Sequence, residues 1–374
     1  MICLRIIALF LLVLGGLTPE SVAGPKGKKS KVTFDGTGTS MINGRPFFPI
    51  GIFTYSVDSS IMAEIKKQQF NTIIALTEHH KPNQLDFFLT NGMMTVAPAR
   101  TNWLAAGVQH HPGLLAWYLE DEPEGHGRSP EAIIDKYRAL KKTDPNHPIG
   151  LCHFLWEAIA QYKDAADFTM TSVYPLTANR DTPITHVGKF MDHSRSVHGQ
   201  FWPHWPYIQI FGGPDTDGGK WRQPTPEEVR CMVYLGLVHR ANGILYFSYW
   251  PKAAETWQSV GLLNGEIKKM TPWLVTRGAE LVARSTNPDV RVRARRTAPD
   301  GTSGLLIFVN TTEKPVETEI SIPGIQNRDV HLRQMFGNRS LSLEGGLFTE
   351  RLEAYGTRVY FWGQEPKMNL AVIK

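Results

Sequence analysis

Residues 114–125 read LLAWYLEDEPEG, an apolar run that ends in Glu120, Asp121, Glu122 and Glu124. Four carboxylates within five positions repel one another, and each is costly to desolvate at the end of a hydrophobic segment. Both effects serve one kind of chemistry. A neighbouring negative charge and partial burial each raise a carboxyl pKa, which keeps one acid protonated near neutral pH. Glu122, with Asp121 beside it, is therefore a candidate general acid, with Asp121 tuning or orienting.

The elements that must hold this pair repeat along the chain. Apolar, β-rich runs alternate with helical patterns: FFPIGIFTY, NTIIALTEHH, MTVAPAR, LLAWYLEDEP, PIGLCHF, FTMTSVYPL, PYIQIFGG and GILYFSYW. SPEAIIDKYRALKKTDP reads as a helix with Ser129 as N-cap and Pro130 at its first position. TPEEVRCMVYLGLVHRA opens with a capping box, Thr225 with Glu228. Eight β/α units over roughly 240 residues predict a TIM barrel, α/β in class, across 47–285; an open doubly wound sheet is the alternative. The third-to-fourth connection looks short of helix, and the last helical stretch reaches about Ser285. Residues 286–374 change to period-two alternation between turn residues, which predicts a small C-terminal antiparallel β-sandwich. Before the barrel, 24–46 holds a basic tail and a hairpin turning at Asn43-Gly44, expected to close the barrel bottom or join the sandwich.

In a TIM barrel the chemistry sits at the C-terminal ends of the strands. Those ends gather Tyr55, Glu78, His79, His80, Arg100, Asp121, Glu122, His153, Tyr174, Gln209 and Trp250, with Asp215, Asp217 and Trp221 on the seventh loop. Aromatic faces stack on sugar rings, and carboxylates and histidines bond sugar hydroxyls, so the expected substrate is a carbohydrate. Trp202, Trp205, Trp221 and Trp250 are candidate platforms, some of which must instead be packing, and Arg222 is a candidate to face the pocket. Glu78 and His80 lack a third ligand, so no metal is expected, and no cofactor. His153 and Tyr174 could equally be packed core residues.

AWYLEDEP resembles the fourth-strand motif of clan A glycoside hydrolases, commonly AW-x-x-x-NEP. Trp117, Glu122 and Pro123 match it, and Asp121 stands where the clan has Asn. GRPFFPIG and the C-terminal sandwich extend the likeness over nearly the whole chain. The resemblance implies an O-glycosyl hydrolase with Glu122 as general acid/base. It also implies a Glu nucleophile at the end of the seventh strand, where this chain has Gln209, an amide that cannot attack an anomeric carbon. Several readings stay open. Another carboxylate, Asp215, Asp217 or Glu78, serves as base in an inverting mechanism, with carboxyls about 6.5–9.5 Å apart. Alternatively Asp121-Glu122 resembles the Asp-Glu pair of β-hexosaminidases, in which the substrate's 2-acetamido group is the nucleophile, with Tyr174 assisting. A glycan-binding barrel without catalysis, or a polysaccharide lyase using Tyr174 or His153 as base, completes the set.

Arg5, the run IIALFLLVLGGL and the small-x-small site at Ser21–Ala23 predict a signal peptide over 1–23 and an exported protein, secreted or periplasmic, with no membrane span after its removal. The formal charge of +5 is nearly all in Lys26, Lys28, Lys29 and Lys31 of the tail. No basic surface and no nucleic-acid partner are implied. Cys152 and Cys231 fall on different elements and are expected as free, buried thiols. NTT at Asn310 and NRS at Asn338 match the glycosylation pattern.

Overall fold

A computed structural model describes residues 29–179, 182–325, 330–343 and 345–373; the expected signal peptide lies outside them. Eight parallel strands close into a barrel. They are β1 (Ile50–Phe53), β2 (Thr72–Ile74), β3 (Met94–Pro98), β4 (Leu114–Asp121), β5 (Ile149–His153), β6 (Phe168–Thr171), β7 (His204–Gln209) and β8 (Ile244–Phe247). The sheet closes where Leu245 of β8 lies opposite Gly51 of β1. A Cβ on Gly51 would meet the Leu245 side chain at 2.6 Å, so this seam needs glycine. Outward side chains such as Ile52, Ile73, Leu151 and Ile208 pack under the helices. Inward ones, including Val96, Tyr118, Cys152, Met170 and Tyr207, fill the barrel. This alternation fixes which residues reach the mouth.

Among the described residues seven helices cover the barrel: α1 (Ser59–Lys67), α2 (Leu85–Thr90), α3 (Thr101–Ala105), α4 (Pro130–Thr143), α5 (His186–His198), α6 (Pro226–Val238) and α7 (Ala254–Val275). Ser129 caps α4, and Thr225 and Glu228 form the capping box of α6. The third-to-fourth connection is indeed thin, with the five-residue α3 and a 3-10 turn at Val108–His110. The β5–β6 connection is thinner than the sequence suggested, a single 3-10 turn at Trp156–Ala158.

The last helix also stops earlier than expected, at Val275. The cause is Arg295 of the next domain, whose guanidinium donates to the carbonyls of Trp273, Leu274 and Thr276 and so closes the helix end. At Gly278 a Cβ would lie 2.1 Å from the Arg296 carbonyl, so the chain turns closely against the incoming strand. The C-terminal sheets consequently take in Ala279–Leu281 and Arg284–Ser285, before residue 286. One sheet has six strands and the other three, packed around Phe308, Ile320, Leu332, Leu352 and Tyr360. Helix α6 is buried almost throughout, and its Cys231 thiol reaches the Asn310 carbonyl of the sandwich at 3.7 Å.

The N-terminal segment forms a three-stranded antiparallel sheet whose turn places Asn43 at φ 50 and Gly44 at φ 80. Its Phe34 ring packs edge-on against Phe168 and Trp205, so the sheet closes the barrel bottom. Among the described residues no helix is long and apolar enough to cross a membrane.

Candidate active site

The carboxylate cluster closes β4, and a bulge there sorts its members. Tyr118 lies opposite Gly150, but Asp121 lies opposite Cys152, so β4 spends two residues against one of β5. Strict alternation would turn Glu120 inward. The extra residue sends it outward instead, where Lys136 of α4 meets it at 2.6 Å, and brings Asp121 into phase with Tyr118. Glu122 then adopts φ 44, a left-handed conformation uncommon for a side chain this long, and its N–H donates to the Cys152 carbonyl at 3.1 Å. A straight strand would point Asp121 and Glu122 to opposite faces. The turn brings the Glu122 carboxyl to Ser172, at the end of β6, whose hydroxyl donates to Oε1.

The four carboxylates therefore have four different environments. Glu120 is ion-paired outside the barrel. Asp121 accepts the Tyr118 hydroxyl at 2.5 Å. Burial raises its pKa against the opposing pull of Tyr118 and His126, and Glu120 and Glu124 add to the rise. Burial also raises Glu122; the Ser172 hydrogen bond opposes this, while Asp121 and Glu124 reinforce it. Burial would raise Glu124 as well, but its carboxylate bonds His153 Nδ1 at 3.1 Å and the backbone N–H groups of Phe154 and Leu155 at 2.8 and 3.2 Å. These outweigh burial and hold Glu124 below the usual range. Burial thus favours the protonated form of both Asp121 and Glu122, while Glu124 is an ionised tie between two loops.

The floor of the mouth is aromatic. Phe247 lies between Phe53 at 4.7 Å, Phe211 at 5.2 Å and Tyr174 at 5.4 Å, and Tyr174 meets Trp221 edge-on. Two depressions open above it. One, about 290 Å³, is lined by Phe53, Arg100, Tyr118 and Asp121 and extends outward over the Glu120–Lys136 pair. The other, about 370 Å³, is lined by Phe154, Trp156, Ser172, Tyr174, His186 and Trp221. Asp121 faces the first, and Ser172, which holds Glu122, faces the second. A larger cavity of about 700 Å³ lies at the opposite end of the barrel, where its Lys141 and Asp167 are already paired at 2.7 Å.

The remaining sequence candidates divide. Tyr55, Arg100, Tyr174, Trp221 and Trp250 stand around the mouth: Tyr55 is exposed beside Phe53, Arg100 donates to the Leu76 carbonyl, and Trp250 carries Lys252 over its ring at 5.2 Å. Glu78 and His79 are exposed on the loop after β2. His80 is buried, with one ring nitrogen 3.0 Å from the Thr54 hydroxyl and the other 3.0 Å from Thr77. Burial pushes its pKa down to about 4, with the charges of His79 and Arg100 adding to the effect, so it sits as a neutral strut between β1 and β2. His153 lies on the outer face of β5, against Tyr162 and Glu124, away from the mouth.

Gln209 reaches the end of β7 as expected but is fully buried, and its amide is consumed by backbone. Oε1 accepts the Leu176 N–H at 3.0 Å, and Nε2 lies within reach of the carbonyls of Leu176, Phe211 and Arg222. The loop that follows is pinched at Gly212, where a Cβ would lie 2.2 Å from the Arg222 carbonyl, and closed by Gly213 N–H to Trp221 O. Asp215 and Asp217 ride this excursion into solvent, Asp215 at 4.0 Å from Lys252. Arg222 is held by Glu228. Trp205 is buried inside the barrel and Trp202 stacks on His198 at the far end, so neither is a platform at the mouth. Asn310 is buried with its amide bonded to the carbonyls of Lys314 and Glu353, whereas Asn338 is exposed. Among the described residues no group of three His, Cys, Asp or Glu side chains could hold a metal.

Sequence reasoning missed Tyr118, Ser172, Phe53, Phe211 and Phe247. Ser172 was within reach, because it stands two positions before Tyr174 on the same strand face. Tyr118 was not, because only the bulge aligns it with Asp121.

No protein-family model matches the sequence, and no curated protein matches it. Solved structures do match in fold. A glycoside hydrolase of family 5 from Bacteroides vulgatus superposes with a TM-score of 0.59 at 11% identity, covering 92% of this chain and 96% of that one. A structure described as a glycoside hydrolase gives 0.58 at 12% identity, covering 88% and 96%. The α-amylase of Geobacillus thermoleovorans, complexed with acarbose, gives 0.56 at 9% identity, covering 85% and 98%. At 9–12% identity these matches show a shared fold.

Proposed function

We propose that the protein is a glycoside hydrolase that protonates the leaving-group oxygen of a glycosidic bond from Glu122. The observation that carries this reading is the placement of Glu122. It stands at the end of β4, raised in pKa, held by Ser172, and next to Asp121, with Asp121 lining one depression and Ser172 the other. A sugar on each side would put the scissile oxygen at the acid. Asp121, fixed by Tyr118, presents a second carboxyl to the first depression, where it would orient the substrate and add negative potential beside Glu122.

The base in this reading is a water-activating carboxylate from the loop after β7, Asp215 or Asp217, which gives inversion. A second reading is favoured by the burial of Gln209 and the exposure of both loop aspartates: the substrate's own 2-acetamido group attacks, with Asp121 orienting it. A lyase is disfavoured because burial raises the Tyr174 phenol well above its ordinary pKa and His153 faces away. The test is product analysis on a panel of glycans. New reducing ends support hydrolysis, and proton NMR of the first-formed anomer separates inversion from substrate-assisted retention. Unsaturated sugars, or binding without any product, would overturn the proposal.

A further inference from the structure

Away from the mouth, a second cavity of about 310 Å³ lies at the junction of barrel and sandwich. Arg195 of α5 and Arg240, after α6, line it from the barrel; Arg293 and Arg295 line it from the sandwich, with Glu280 the one carboxylate in its wall. Three of the guanidiniums are anchored by backbone. Arg195 donates to the carbonyls of Met191 and Arg240, Arg293 to that of Leu237, and Arg295 to the end of α7. Glu280 is taken up by Arg293, at 2.8 Å through Nη2, and lies 3.8 Å from Arg295. Asp192, the next nearest carboxylate, is exposed, 3.9 Å from Arg195 and shared with His239. Asp35 lies 3.9 Å from Arg277 beside the junction.

Positive charge therefore exceeds negative charge around this space among the described residues, and the buried Nε–H of Arg295 makes no hydrogen bond, its contact with the Glu280 carboxylate being a 3.8 Å ion pair. A buried guanidinium N–H without a hydrogen bond is expensive, and guanidiniums from several sides are suited to tetrahedral oxyanions. Burial, with the mutual repulsion of the guanidiniums, brings Arg195 down to about 9 and Arg295 down to about 10. We propose that this cavity binds a small multivalent oxyanion, phosphate or sulfate in class, which ties the barrel to the sandwich. The binding is independent of the chemistry at Glu122.

Sulfate and inorganic phosphate are the probes, titrated against the full chain at ionic strength held constant with sodium chloride. Stabilisation by a ligand that binds only the folded state saturates with occupancy, whereas the general salting effect of sulfate does not. The expected result is a saturable rise in melting temperature and one calorimetric binding event. Both should be lost in Arg240→Gln and partly kept in Arg240→Lys. Arg240 is only partly buried, so both variants should fold. Equal melting temperatures in sulfate and chloride would overturn the proposal, as would a non-saturating rise or one that Arg240→Gln leaves intact.

Discussion

At Glu122 a left-handed backbone, a half-buried carboxyl and a hydroxyl partner meet in one residue. The Ser172 hydrogen bond favours the ionised acid, so it tempers the rise that burial imposes. Ser172→Ala should therefore raise the Glu122 pKa further and move the basic limb of the kcat/KM profile to higher pH. A limb that stays put or moves down would remove Ser172 from this role. Glu124 has the opposite sign. Its folded pKa lies below that of an ordinary glutamate, so its contribution to stability is present above the ordinary value and is lost as pH falls through the lowered one. Glu124→Gln should cost about 1–3 kcal/mol at pH 7 in urea denaturation, because His153 and two backbone N–H groups lose a charged acceptor, and the deficit should shrink in acid. A deficit independent of pH would contradict the ionised tie. His80, with a folded pKa of about 4, stabilises the fold fully above pH 6.5 and loses that contribution between 6.5 and 4.

Among the elements, the end of β7 separates this chain from the pattern its fourth strand resembles. Gln209 supplies an N–H pair to carbonyls and an acceptor to Leu176, so its amide is a clamp on the loop between β6 and α5. Gln209→Glu would place an acceptor against the Leu176, Phe211 and Arg222 carbonyls. It should cost about 2–4 kcal/mol in stability and create no covalent glycosyl–enzyme intermediate. A stable variant that traps a labelled intermediate at this residue would reverse that assignment. The strand runs themselves were readable because buried parallel strands are apolar along their length and the helices between them announce their caps. The bulge in β4 was not readable, since Leu119 and Glu120 look like any alternating pair until the register against β5 is known. The early end of α7 was hidden for a similar reason: its cap, Arg295, comes from the next domain.

For the whole molecule, α6 and the Arg295 cap join barrel and sandwich into one body, with Cys231 inside the junction and Cys152 inside the barrel. Both thiols are free and buried, and burial pushes both up in pKa. They should resist alkylation in the folded protein and react fully after denaturation without reductant. Labelling that needs reductant would mean a bridge. Mass spectrometry of the same exported sample should find an N-terminus near Gly24, as the signal segment implies; an intact Met1 would contradict that half. The fold class was legible from the alternation of apolar strand runs and helical patterns. Tyr118 and the Phe53, Phe211 and Phe247 rings were not legible, because in the sequence they read as part of apolar runs.

The most direct measurement is the activity of Glu122→Gln on a natural glycan with a poor leaving group, alongside its thermal unfolding. General acid catalysis is worth about 10²–10⁴-fold, so the loss should fall in that range or beyond. Because the folded pKa of Glu122 is raised, its ionised form is a burden that grows as pH rises through that value. Glu122→Gln should thus be at least as stable as the parent at neutral pH, and should bind substrate nearly as well. Hydrolysis within a few-fold of the parent, in a variant shown to be folded, would contradict the assignment of Glu122 as the acid.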